Sequence, residues 1–183
     1  MAKVLVASLF AATLLLVASD ANAQRPRVSP HETISTVIDG NRVTVSYGRP
    51  YTKDPKGGEP RKIWGKLVPW GKAWRLGADE ATLLITQKPI ILGDQEIAPG
   101  AYTLYMVPEE SGTSKLAVSK TIGGWGIPVD EKNDLVRVDL KKETAEKPTD
   151  QLAISLDKNP DGGGMLKLSW EDAQYSVPFK VKK

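Results

Sequence analysis

The sequence has 183 residues but no cysteine, one histidine (His31) and only two phenylalanines. Without cysteine there is no disulfide, so packing and hydrogen bonding alone must hold the fold. The same absence removes a thiol nucleophile, a thiolate metal site and the lipid-modified cysteine of a bacterial lipoprotein. A single histidine cannot build a His-rich zinc centre. His31 follows Pro30 at the start of the first extended segment, and the chain has no Gly-x-Ser-x-Gly elbow. A surface or edge position is therefore expected for it, not a triad. Charge of one sign is scarce as well: 25 basic against 22 acidic residues give +3. The two signs are interleaved, as in Lys141-Lys142-Glu143 and Glu146-Lys147. That pattern is a solvated mixed surface, and no nucleic-acid partner is expected. No phosphate-binding glycine loop precedes a helix, and Asn159-Pro160-Asp161-Gly162 lacks the dense acids of a calcium loop. Neither a metal nor a cofactor is expected.

There is one long apolar run. Val4 to Ala18 is interrupted only by Ser8 and Thr13, with Lys3 before it and Ala21-Asn22-Ala23 after it. A short positive start, an apolar stretch and a small-x-small site describe a secretory signal peptide. The run falls short of the ~20 apolar residues of a membrane span. Cleavage is expected after Ala23, giving a periplasmic or secreted chain that starts at Gln24 and keeps no permanent membrane span. Residues 24–30, with Pro26 and Pro30, read as an extended arm. Residues 31–183 read as one domain, because a chain of this size can bury roughly 68–70% of its unfolded surface.

No segment carries an apolar stripe at helical spacing. Lys141 to Lys147 has helix-forming residues but no apolar face, so at most it is a surface turn of helix ended by Pro148. Period-two alternation dominates instead. It runs through Ile34, Thr36 and Ile38, then Val43, Val45 and Tyr47, with Asp39-Gly40 as a hairpin turn between them. It returns in Ala81, Leu83 and Ile85, in Tyr102, Leu104 and Met106, and in Val136, Val138 and Leu140. Ile90 to Leu92 and Gln95 to Ile97 flank a second turn at Gly93-Asp94, and Lys115 to Ser119 is a short strand. Leu152, Ile154 and Leu156, then Leu166, Leu168 and Trp170, then Tyr175, Val177 and Phe179 complete the set. The pattern predicts an all-β antiparallel sandwich, jelly-roll-like or Ig-like, of about ten short strands with little or no helix.

Three long connections remain: Gly48 to Arg75, Lys120 to Asp134, and the glycine-rich turn Lys158 to Gly164. The first runs into Ile63 to Thr82, which holds three of the five tryptophans. Several features resemble a bacterial family known as domain of unknown function 2911. They are Arg49-Pro50, the run Ile63 to Thr82, Pro99-Gly100-Ala101-Tyr102 with Leu104 and Pro108, Trp125-Gly126, and Asp134-Leu135-Val136-Arg137. The resemblance covers about Ser29 to Phe179. It implies an exported, mostly β protein and no assigned activity. Position 79 is Asp here, where the family typically carries Asn.

The residues offer several chemistries, each beside a simpler reading. Trp64, Trp70 and Trp74 can stack a sugar or another planar ligand, but the same rings can plug one end of a sandwich. Trp125, between glycines, belongs to the same candidate surface, whereas Trp170 alternates with core leucines and reads as core. Arg75 can present its fork to an anion with Glu80 orienting it, or form a structural ion pair with Glu80. Asp79 and Glu80 are candidates for acid–base work. On a strand, however, neighbouring side chains point to opposite faces and cannot share a cleft.

The leading expectation is a non-catalytic exported protein that binds a small molecule, an envelope glycan or a protein partner. Arg49, Tyr51, Trp64, Trp70, Trp74, Arg75 and Trp125 are its candidate contacts. A metal-independent hydrolase of envelope glycan or peptide, using Asp79 or Glu80 with Arg75, is the alternative. A structural envelope protein is the third reading.

Overall fold

The computed structural model describes residues 27–182. The apolar run Val4 to Ala18, the Ala21-Asn22-Ala23 site and the start of the arm lie outside the described residues. The described chain holds ten strands: β1 (His31–Ile38), β2 (Asn41–Gly48), β3 (Ala78–Thr86), β4 (Ile90–Leu92), β5 (Gln95–Ile97), β6 (Gly100–Val107), β7 (Lys115–Ser119), β8 (Asp134–Asp139), β9 (Lys141–Lys158) and β10 (Gly164–Val181). One 3-10 turn, Glu131–Asn133, precedes β8. One antiparallel sheet has the order β1-β2-β3-β6-β7-β8, and the other has β5-β4-β10-β9. The fold is an all-β sandwich, as the alternation requires.

Alternation decides which side chains meet between the sheets. Val43, Val45 and Tyr47 of β2, Leu104 and Met106 of β6, and Leu116 and Val118 of β7 are buried from one side. Leu152 and Ile154 of β9 and Leu166, Leu168 and Trp170 of β10 are buried from the other. They form one contiguous cluster. Burying each such aliphatic side chain is favourable by about 1.5–3 kcal/mol, which is how a chain without disulfides holds together. At the β1–β2 turn Asp39 and Gly40 have φ of 49° and 72°, the left-handed pair that a two-residue hairpin requires. The Asp39 carboxylate also accepts the Gly163 N–H at 2.6 Å, tying this turn to the β9–β10 connection.

Two expectations about elements are corrected. Lys141 to Lys147 is not a helical turn, because Lys141, Lys142, Glu143 and Thr144 pair in register with Ser176, Tyr175, Gln174 and Ala173. Tertiary pairing overrides weak helix propensity where no apolar face exists to hold a helix. The strands expected to be short at the C-terminal end are continuous. β10 carries both Leu166-Leu168-Trp170 and Tyr175-Val177-Phe179, with register shifts around Glu171. Glu171 has φ 54°, and this bulge moves the buried positions from even to odd residue numbers.

Candidate functional site

The chain leaves β2 at Gly48 and returns thirty residues later at Ala78, closely packed against its point of departure. A side chain at Gly48 would meet the Ala78 carbonyl at 2.2 Å, so only glycine allows this crossing. The segment between them first follows the β9 edge. The Thr52 N–H donates to Asp150 O at 2.8 Å and the Leu152 N–H to Pro50 O at 3.1 Å. Arg49 and Tyr51 therefore belong to this seam. Arg49 Nε donates to Leu152 O at 3.1 Å and approaches Glu32 at 3.5 Å, while Tyr51 bridges to Gln151.

Trp64, Trp70 and Trp74 come together next. Trp64 stacks on Trp70 with centroids 6.0 Å apart, and Trp74 stacks on the core residue Trp170 at 5.8 Å. Trp64 meets Trp74, Trp170 and Tyr175 at steeper angles, and the Lys142 ammonium lies 5.2 Å over Trp70. Trp74 exchanges backbone hydrogen bonds with Met106 of β6 at 2.7 and 2.8 Å. These rings close one end of the sandwich, with Trp64 and Trp74 packed against the core.

Arg75 turns away from this cluster. Its Nε donates to Gly77 O at 3.2 Å and its Nη1 to Trp125 O at 3.1 Å. Among the described residues no carboxylate lies within ion-pair distance of it, so the expected Arg75–Glu80 pair is absent. Burial lowers the guanidinium's pKa from its ordinary value, with Asp79 and Glu80 opposing through space. The backbone around it is strained: Leu76, fully buried, and Asp79 both have φ 61°.

The loop 120–133 lies over the outer face of the six-stranded sheet. It is held there by the Ala81 N–H donating to Gly124 O at 3.1 Å and by close packing of Gly126 on Ala81. Beneath it is a hollow of about 210 Å³. Small outward side chains of three neighbouring strands, Ala81, Thr103 and Ser119, form the floor, with Arg75, Tyr105 and Trp125 around it. Trp125 is 53% exposed and Ile127 61% exposed, so this rim offers apolar surface to solvent. Asp130 also lines the hollow, and Tyr105 ties it to a polar network behind it. Tyr105 donates to Asp134, while Arg137 donates to Asp134 at 2.7 Å, to the Tyr105 hydroxyl at 2.7 Å and to Glu131. Burial and the Asp134 carboxylate push the Tyr105 phenol far above its ordinary value, so it stays a neutral donor.

Asp79 and Glu80 lie elsewhere, and here strand alternation misleads. Both sit on β3, yet His31 Nε2 is 3.1 Å from Asp79 Oδ2 and 3.4 Å from Glu80 Oε2. The left-handed backbone at Asp79 and the register shift between β2 and β3 bring the two carboxylates to one imidazole. Arg27 also pairs with Glu80. Burial works against ionisation of Glu80. Its own backbone amide, Arg27 and His31 outweigh that effect, so its carboxyl lies below the ordinary carboxylate range. No His/Asp/Glu group among the described residues is arranged to hold a metal ion.

The family model described as "Protein of unknown function (DUF2911)" matches residues 29–179. The chain belongs to the DUF2911 family. No curated protein and no solved structure matches it. In this DUF2911 chain the candidate contacts fall into three places: the β9 seam (Arg49, Tyr51), the aromatic plug (Trp64, Trp70, Trp74), and the hollow where Arg75 meets Trp125. Sequence reasoning passed over Ile127 and Tyr105, and it noted Asp134 and Arg137 only as part of the resemblance and not as partners of Tyr105. The one signal for Tyr105 was the outward alternation of Ala101, Thr103 and Tyr105, a small and polar sheet face that leads to an aromatic ring. His31 was expected at an edge, which is where β1 places it, but its two carboxylate partners come from 48 and 49 residues away.

Proposed function

We propose that this DUF2911 protein is an exported, non-catalytic binding protein. Its ligand is a small anionic molecule with an apolar or ring-bearing body, held beneath the Trp125 loop. The observation that carries the reading is Arg75. It is a half-buried guanidinium held by two carbonyls, with no carboxylate partner among the described residues, at the wall of a hollow rimmed by exposed Trp125 and Ile127. Keeping a cation partly desolvated and unpaired is unfavourable unless an anion arrives to pair with it. Tyr105, kept protonated and committed to Asp134, supplies shape and a dipole but no base.

The test uses 8-anilinonaphthalene-1-sulfonate, which combines an anion with aromatic rings. Saturable one-to-one binding with blue-shifted emission is expected. Arg75→Met and Trp125→Ala should each weaken it roughly tenfold or more, the scale of a charge-assisted hydrogen bond or a buried aromatic contact. The neutral analogue N-phenyl-1-naphthylamine should respond to Trp125→Ala but not to Arg75→Met. Unchanged sulfonate affinity in both folded variants overturns the reading.

A second reading, a metal-independent hydrolase of envelope glycan or peptide, draws support from the approach of Asp79 and Glu80 to His31 beside a hollow of about 290 Å³. It requires turnover by the parent protein that disappears in a folded Glu80→Gln variant. If turnover survives that change, Glu80 has no acid–base role.

A further inference from the structure

A second cleft lies between the aromatic plug and the tip of the 120–133 loop. It encloses about 290 Å³, and its walls include Arg61, Arg75, Leu67, Trp74, Ile127 and Trp170. No aspartate or glutamate among the described residues lines it. Arg61 is fixed from outside by donation to the Tyr51 carbonyl, and its Nε is buried with no partner among the described residues. The indole N–H of Trp170, a residue 1% exposed, is likewise buried and unpartnered. Arg75 contributes the second guanidinium, held by carbonyls alone. Glu59, the acid nearest Arg61 in sequence, and Asp54 border a separate hollow with it. Asp79 and Glu80, which act on Arg75 through space, are themselves engaged by His31 and Arg27. Buried donors in native folds are ordinarily matched by acceptors. Here two arginines and the buried Trp170 border one cleft with no acidic side chain among its described walls.

We infer that this cleft is an oxyanion site. It takes a small carboxylate or phosphate-bearing molecule, with the charged end between Arg61 and Arg75 and any apolar body against the Trp74 ring, Leu67 and Ile127. The planar guanidinium fork matches both oxyanions, and an indole face suits an apolar or aromatic body. The inference does not depend on a ligand beneath Trp125. Arg75 and Ile127 border both spaces, but of the two Arg61 borders this cleft alone and Trp125 the other alone.

The experiment follows the five tryptophan indole N–H signals by ¹⁵N NMR while millimolar benzoate, inorganic phosphate or neutral benzyl alcohol is added. Benzoate is expected to shift the Trp74 and Trp170 signals saturably, and benzyl alcohol to leave them in place. Arg61→Met should weaken benzoate roughly tenfold or more, with partial recovery in Arg61→Lys, which keeps the charge but loses the fork. Amide dispersion in the same spectra verifies that each variant is folded. Arg61-dependent binding of phosphate as well as benzoate identifies a general oxyanion site. Binding of benzoate alone identifies a carboxylate with an apolar body. Three results would overturn the inference: neither anion moving those signals, benzyl alcohol matching benzoate, or benzoate affinity unaltered in folded Arg61→Met. Any of these leaves the sulfonate test of Trp125 standing, because Arg61 has no part in it.

Discussion

Leu76 and Asp79 hold left-handed backbone on either side of Gly77-Ala78, and much of the site's geometry follows from them. For a residue with a Cβ this conformation costs about 1–2 kcal/mol, and less for Asp and Asn, whose short polar side chains bond locally. It explains why Asp, and Asn equally, is compatible with position 79. Asp79→Asn should unfold in urea at the parent's midpoint. Asp79→Val should lose about 1–2 kcal/mol. Glu80 allows a pH test. Its carboxyl is held below the ordinary range, so its contribution to stability is present above pH 4.5 and is lost as pH falls through the depressed value. The stability difference between parent and Glu80→Gln, measured by urea unfolding, should therefore shrink as the pH is taken below 4.5. Two adjacent acids on a strand read as back to back, because alternation is the default of extended chain. The backbone twist that turns both toward His31 leaves no mark in the residue types themselves.

At the scale of elements, the bulge in β10 is the most revealing feature. Apolar residues occupy even positions through Trp170 and odd positions from Ala173. That change of phase was visible in the sequence, but it reads equally as two strands or as one strand with an inserted residue. Only pairing with β9 decides for one. Glu171 sits at the bulge, and burial with the neighbouring Asp172 charge raises its carboxyl above the ordinary value. Here the sign is reversed: its contribution is fully present below the ordinary value and is lost as pH rises through the raised one. Glu171→Gln should raise the thermal midpoint at pH 7 and leave it near the parent's at pH 4. Gly164 marks another close approach, since a Cβ there would meet the Phe179 ring at 2.6 Å and Ile38 at 2.7 Å. Gly164→Ala should cost about 1–3 kcal/mol by overpacking, read as a shift in the urea midpoint without a change in slope. The sequence marks Lys158 to Gly164 only as a glycine-rich turn, because the ring and strand that crowd Gly164 are distant along the chain.

For the molecule as a whole, one buried cluster links both sheets, and Trp170 joins it to the aromatic plug. Trp170→Ala should cost about 3–5 kcal/mol, whereas Trp125→Ala, at an exposed rim, should stay within about 0.5 kcal/mol by the same unfolding measurement. That contrast separates the tryptophans that hold the fold from the one offered to a ligand. Their shared presence in short irregular segments hid the difference, because composition records ring content and not which ring faces solvent. Sequence by itself determined the all-β class, most strand positions and the hairpin turns, since alternation and left-handed turn residues are local properties of the chain. Tertiary structure alone decided the strand order, the meeting of Asp79 and Glu80 at His31, and the placing of Arg75 beyond ion-pair distance of every described carboxylate. It also decided the convergence of Arg61 with Arg75, because each of these depends on how distant segments cross once the core between the sheets is closed.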